Sequence, residues 1–337
     1  MLRLSSKITI GEELKEPIIF DFVNEVEIDS SSENLTDTAK VIIPRKISFK
    51  GKAIAIGADA LLKRGMSIKI ELGYDDNLKV AFRGYISKVH LKVPLEIECE
   101  DEMWILKQNT LANKSYTSVS LATLLKYIVP KSMPYTTEGF TYENLGKIRI
   151  SNNATTAIVL DMLRNIFKIN SFIRENKLYV GVQFQVTLQK DRVFGFEKNI
   201  ISESNLIWED SEDVKIKVKG ISIQSDNTKI EYYYPSKDTE GQQMQFSRPN
   251  LNLEDLEKHV KRFYDSFHYS GYKGTFETFG EPFVNHGDAI GFTGEKLPER
   301  NEGKYLVRSV KRTFGQDGYR QFPELANKIL DTTTVQL

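Results

Sequence analysis

The densest cluster of titratable side chains occupies one short run, in which Glu96, Glu98 and Glu100 alternate with Leu95, Ile97 and Cys99, and Asp101 and Glu102 follow. Alternation places the three glutamates on one face of a strand. Glycoside hydrolysis needs two carboxyl groups roughly 5–9.5 Å apart, one of them with a pKa raised by burial. Residues i and i+2 on a strand can meet that spacing, so a cell-wall or polysaccharide hydrolase is one reading. Three adjacent carboxylates beside Lys92 fit a wet or subunit-facing strand surface more simply. The four histidines, His90, His259, His268 and His286, form no HxH or HExxH spacing. They read as surface or packing residues. The one cysteine, Cys99, completes no CxxC and falls on the apolar side of its strand, as a small buried hydrophobe does. No GxSxG, GxxxxGK(S/T) or GxGxxG occurs. The expectation is therefore no catalytic residue, no cofactor and no metal ligand.

Two further clusters invite a binding reading. Tyr232, Tyr233 and Tyr234 are consecutive, so alternation leaves only Tyr232 and Tyr234 on a common face. Stacking on sugars, as in a carbohydrate-binding adhesin, competes there with ordinary strand packing. Lys215, Lys217 and Lys219 form a one-sided basic stripe, read as a wet strand face before an attraction to an acidic neighbour.

The elements that position these residues follow from periodicity. Phe20, Phe22, Val26 and Ile28 alternate with acidic residues up to the turn Ser30–Asn34; Ala39, Val41 and Ile43 alternate up to Pro44. Ile68, Ile70 and Leu72 lead into Gly73–Asn77, and Val80–Val89 returns, a hairpin. Val93, Leu95, Ile97 and Cys99 give one more strand. After about residue 104 the period changes. Leu121, Leu124, Leu125 and Ile128 predict a helix capped by Ser120 and ended by Pro130. A second helix after Asn152-Asn153 presents Ala154, Ile158, Leu163, Ile166 and Phe167, and a hairpin follows over Phe172–Val180. Strands resume at Val214, Ile216 and Val218 and at Ile230, Tyr232 and Tyr234. A helix over Leu253–Phe267 with Asn252 as cap precedes strands near 272–279, 289–293, 304–310 and 319–322.

The bulk numbers bound the class. A chain of 337 residues with 40% hydrophobic and 27% charged composition holds two or three folded domains. Its 46 basic and 46 acidic residues cancel, which removes the footprint of a dedicated nucleic-acid binder. No run reaches 18 apolar residues, and the opening MLRLSSKITIGEEL lacks a signal-peptide core. The expectation is a protein made and kept on the cytoplasmic side without membrane insertion.

An echo links the two strand-rich ends. Gly65 opens the Ile68 strand and Gly84 sits in its return; Gly287 opens Ala289–Phe292 and Gly303 precedes Tyr305–Val310. The last ninety residues add an ordered set of turns. The helix leads to a strand and to Gly280-Glu281-Pro282-Phe283-Val284-Asn285-His286-Gly287, then to Gly303-Lys304-Tyr305-Leu306-Val307-Arg308-Ser309-Val310, then to Asp317-Gly318-Tyr319. This order resembles the last domain of phage tail baseplate hub proteins and the N-terminal half of the VgrG spike of type VI secretion. Leu35–Val41, the Gly65 strand and Phe82–Ile86 resemble the same family's first barrel.

The resemblance implies a mainly β, α+β fold. Two small β-barrels related by pseudo-duplication would occupy 1–104 and 201–330, with a mixed α/β segment at 105–200. A helical insertion would lie near 252–268 and a loose tail at 331–337. Gly65, Gly84, Pro282, Gly287, Gly303 and Gly318 are then backbone devices at turns and strands. The implied function is a non-enzymatic hub subunit of a phage-like contractile tail. A homotrimer of such subunits would adapt a sixfold tail tube to a threefold central spike, which is a separate protein because the chain stops soon after the second barrel. Other baseplate proteins are the remaining implied partners, and DNA or an effector passes only through the channel.

Overall fold

The computed structural model describes residues 2–44, 46–49, 52–55, 62–90, 92–137, 144–151, 153–167, 169–182, 190–224, 228–294, 300–301 and 303–329; the expected loose tail at 331–337 lies outside them. The N-terminal third is a series of strands: β1 (Leu4–Ile10), β2 (Ile18–Phe20), β3 (Glu25–Ser31), β4 (Thr38–Ile43), β5 (Lys46–Phe49), β6 (Lys52–Ala55), β7 (Ser67–Tyr74), β8 (Asn77–His90) and β9 (Leu95–Glu100). The hairpin β7–β8 turns on two residues, Asp75 and Asp76, with φ of 49° and 63°. Such a turn matches the right-handed twist of its strands, and aspartate tolerates the left-handed region.

The middle third carries α1 (Met103–Gln108), β10 (Lys114–Tyr116), α2 (Leu121–Ile128), β11 (Tyr135–Thr136), β12 (Ile148–Ile150), α3 (Thr156–Phe167), β13 (Ile169–Arg174) and β14 (Lys177–Val182). Ser120 caps α2 as expected, its hydroxyl accepting from the Thr123 N–H at 3.2 Å. Leu121, Leu124, Leu125 and Ile128 then point into a core shared with Leu160, Leu163, Ile169 and Leu178.

The last third holds β15 (Asp191–Gly195), β16 (Ile200–Glu209), β17 (Ile216–Ile223), β18 (Lys229–Tyr234), β19 (Gln242–Pro249), α4 (Leu253–Phe267), β20 (Gly271–Phe279), β21 (Ala289–Thr293), β22 (Lys304–Gly315) and β23 (Gly318–Ile329). Asn252 caps α4, accepting from the Asp255 N–H at 2.9 Å. Leu256 and Val260 bury the helix against Val218 and Phe246 of the three-stranded sheet β18–β17–β19.

The two strand-rich ends form one sheet. Its path runs β16–β20–β23–β22–β3–β4–β9–β8–β7–β1–β2, with β15 and β21 alongside. The seam is the antiparallel pair β3–β22, from Ser31 opposite Ser309 to Glu25 opposite Gly315. Lys311 crosses it to Glu27 at 2.8 Å. Phe314 and Tyr319 from the C-terminal hairpin join Val26, Ile28 and Val41 in the N-terminal core. A second core gathers Phe194, Phe276, Phe292, Tyr305 and Val310. The fold is mainly β, as expected, but among the described residues the path stays open at β2 and β16 and closes no barrel.

Several local expectations change. Phe22 is half-exposed because β2 stops at Phe20 and β3 starts only at Glu25, so the alternation there spans two strands. Val93 is exposed and lies before β9, since Pro94 follows it. In α3 the buried side is Ala157, Leu160 and Leu163, while Ile158 and Ile166 face outward. Several residues fitted a helical period there, and the packing partners selected the stripe. The piece next to α4 is also larger than a helix: β17, β18 and β19 leave the main sheet with it.

Candidate functional site: a buried polar junction

Where the seam, the α/β segment and the turn 280–288 meet, charged side chains collect around a cavity of about 690 Å³. They arrive from five segments of the chain. Asp37 precedes β4, Asp101 and Glu102 follow β9, Arg174 ends β13, Asn285 and His286 sit in the 280–288 turn, and Arg312 projects from β22. Arg312 occupies an inward position between Val310 and Phe314 and is 1% exposed. It donates to the Val284 carbonyl and to Asn285 Oδ1, the latter at 2.9 Å, and lies over the Phe283 ring at 4.4 Å. Arg174 donates to the His286 carbonyl. Both guanidiniums thus bind the turn through its oxygens. A buried charge hydrogen-bonded in this way holds the backbone it touches.

The acids lie opposite. Asp37 accepts from Ser30 Oγ at 2.5 Å and from the Ser31 N–H at 3.0 Å, and its carbonyl accepts from the Asp101 N–H at 3.0 Å. His286 Nε2 is 3.9 Å from Asp37 Oδ2, and its ring meets Phe172 edge-on at 4.9 Å. Burial pushes Asp37 up to about 6 against the Ser30 and Ser31 hydrogen bonds and the Arg312 and Arg174 charges. Burial, then the neighbouring Asp37 charge, drives Asp101 well above the usual carboxylate range. Burial and then Arg174 and Arg312 hold His286 well below the ordinary imidazole value. Two carboxyls close together in a low-dielectric site resist ionising together. The guanidiniums opposite them hold the turn against the seam.

The turn motifs meet on the same side. Gly280 packs so tightly on Tyr319 that an added Cβ would come 2.0 Å from the ring. The Gly280 N–H donates to the Tyr319 carbonyl at 3.0 Å, and Tyr74 from β7 donates to that carbonyl at 3.1 Å. Lys79 reaches Glu281 at 2.7 Å. Gly318 takes φ 102° at the start of β23; Gly65, Gly287 and Gly303 also have positive φ, and Pro282 follows Glu281 in the turn. Gly84 lies within β8, where the Glu100 backbone runs too close for any side chain.

The residues singled out for chemistry lie apart from this junction, Asp101, Glu102 and His286 excepted. Glu96 contacts Lys92 and Lys40, Glu98 contacts His90, and Glu100 contacts Lys107 at 2.7 Å. Cys99 is buried, with a thiol pushed far up by burial and the Glu98 charge. His259 lies on α4 and His268, just beyond it, stacks on Tyr264 at 4.7 Å. Tyr232 and Tyr234 pack around the α4 core; Tyr233 faces away beside Lys219 and Lys237. Lys219 pairs with Glu231 at 2.8 Å, and Lys217 donates to the Lys237 carbonyl at 3.1 Å. Sequence reading did not single out Arg174, Arg312 or Asp37. For Arg312 a signal exists: a charge at an inward position of an alternating strand.

The sequence matches no protein-family model and no curated protein. Solved structures do match along the whole chain. A tail protein from Neisseria meningitidis superposes with a TM-score of 0.64 at 14% identity, covering 97% of both chains. The prophage MuSo2 43 kDa tail protein from Shewanella oneidensis gives 0.60 at 12% identity, over 96% of this chain and 97% of that one. An E. coli component of the type VI secretion system, described as similar to the T4 bacteriophage tail proteins gp27 and gp5, gives 0.58 at 10% identity, over 95% of this chain and 76% of that one. The chain thus has the fold of phage tail proteins and of a type VI secretion component, the fold that its order of turns resembles.

Proposed function

We propose that this chain is a non-enzymatic structural subunit of a phage-like tail, the hub of its baseplate. The observation that carries the reading is the end-to-end match with a tail protein, 97% of each chain, which leaves no large piece of either without a counterpart. In this reading three copies assemble around the tail axis and adapt a sixfold tube protein to a threefold spike carried by a separate chain, with other baseplate proteins around them. On the same reading the chain divides near residues 104 and 200, and the strand-rich parts on either side, two per copy, stand six around the axis. The fused sheet supports this role: a seam of seven paired positions, Ser31–Ser309 to Glu25–Gly315, joins the two parts in one sheet. Assembly contacts of on the order of 2,000 Å² or more are expected. Light scattering on the purified chain should give the mass of a trimer, and electron microscopy with the tail tube protein should show it capping the tube. A strict monomer at high concentration that never joins the tube would overturn the proposal.

A further inference from the structure

Metal motifs are read as spacings along one segment, and this chain has none. The fold makes one from two strands. In the antiparallel register of β8 and β9, His90 lies directly opposite Glu96, and Glu98 follows two residues later on the same face. His90 Nε2 is 2.7 Å from Glu98 Oε1 and 3.8 Å from Glu96 Oε1, and the three ligand atoms lie within 4.8 Å of one another. All three side chains keep contact with solvent, at 20%, 17% and 46% exposure for His90, Glu96 and Glu98.

The two oxygens of Glu96 have different partners. Lys92 and Lys40 contact Oε2, at 3.4 and 3.6 Å, while Oε1 is the oxygen near the imidazole. Outer contacts of this kind orient a ligand group. Both lysines are largely exposed, so their charges remain in water and leave Oε1 available.

We propose that His90, Glu96 and Glu98 bind one divalent transition cation of the Zn²⁺ class, with water completing its coordination. One imidazole nitrogen and two carboxylate oxygens suit Zn²⁺, Co²⁺ or Ni²⁺, whereas Ca²⁺ takes six to eight oxygens. Ligand atoms about 3.3 Å apart surround a tetrahedral ion with bonds near 2.0 Å. The separations from the imidazole, 2.7 and 3.8 Å, bracket that value, and all three ligand atoms lie within 4.8 Å of one another, so side-chain rotation without backbone movement is what binding requires. The ion would tie β8 to β9 just beyond the register shift between Ile86 and Lys88. It replaces no residue of the junction and is independent of the tail reading.

The test uses the untagged full chain, stripped with EDTA and titrated with ZnCl₂ by calorimetry, with CoCl₂ followed by visible absorption. One saturable equivalent is expected, with a rise in melting temperature, because a ligand held by the folded state stabilises it. His90→Ala should weaken Zn²⁺ binding at least tenfold, and Glu98→Gln, which preserves shape while removing the charge, should weaken it in the same direction. Circular dichroism checks that both variants fold. Absence of saturable uptake by the wild type, equal binding of CaCl₂, or unchanged binding by folded His90→Ala would each overturn the proposal.

Discussion

The Gln321 side-chain amide donates to the Pro282 carbonyl at 2.9 Å from a position with no solvent exposure. The same amide donates to the Phe279 carbonyl at 3.0 Å, and its oxygen accepts from the Val284 N–H at 3.0 Å. One side chain of β23 therefore holds the first half of the turn that carries Asn285 and His286.

Gln321→Leu keeps the volume and removes all three bonds. The buried Val284 N–H would lose its partner, at about 1–3 kcal/mol, and two part-buried carbonyls would lose this donor as well. We expect a net loss of roughly 3 kcal/mol and a melting temperature lower by several degrees. Thermal unfolding followed by circular dichroism measures it; a variant that melts with the wild type would mean the turn is held by other contacts.

Two glycines in strands should respond very unequally to an added methyl. At Gly84 the new Cβ would come 2.0 Å from the Glu100 carbonyl oxygen and 2.7 Å from the Asp101 Cα. Those are backbone atoms of a paired strand and cannot move alone, so Gly84→Ala should cost about 3 kcal/mol. At Gly291 in β21 nothing lies within 4 Å of the new atom. Gly291→Ala should change stability by no more than roughly 0.5 kcal/mol. Parallel denaturant titrations compare the two, and equal midpoints would contradict the close approach at Gly84.

The junction predicts a pH dependence whose sign can be worked out. Folded Asp37, at about 6, holds its proton more tightly than the same residue unfolded, near roughly 4. Its stabilising contribution is fully present below that unfolded value and is lost as pH rises through about 6. Asp101, also raised, acts in the same direction. His286, held neutral between Arg174 and Arg312, acts oppositely: unfolding lets it take up a proton in acid, which lowers stability below roughly pH 6.5. Comparing Asp37→Asn with the wild type at each pH reads the titration of the coupled Asp37–Asp101 pair, since both proteins keep His286. The variant should gain on the wild type as pH climbs from roughly 4 to 7, then run parallel to it. Melting temperatures across that range decide it, and a pH-independent difference would place the proton elsewhere.

Much of the fold was legible because it follows local rules. Ser120 and Asn252 supply oxygens to free helix N–H groups, and both cap the helices expected of them. The runs Ile68–Leu72 and Leu95–Cys99 alternate because one face of each strand meets a core. In α3, by contrast, Ile158 and Leu160 are both apolar, and only the arrival of α1 and β13 on one side buries Leu160 and leaves Ile158 out. Hydrophobicity marks candidates for burial, and the neighbours make the choice.

What the sequence by itself determined is the mainly β character, three of the four α-helices among the described residues, and the order of turns that resembles tail hub proteins. These depend on backbone preferences and on contacts within a few residues. The tertiary structure alone decided the rest: the β3–β22 seam joins residues nearly three hundred positions apart, and Asp37, Arg174, His286 and Arg312 reach one cavity from four segments. The pairing of His90 with Glu96 and Glu98 depends on strand register in the same way. Long-range pairing is set by the summed burial of whole strands, which no single residue's type or spacing records.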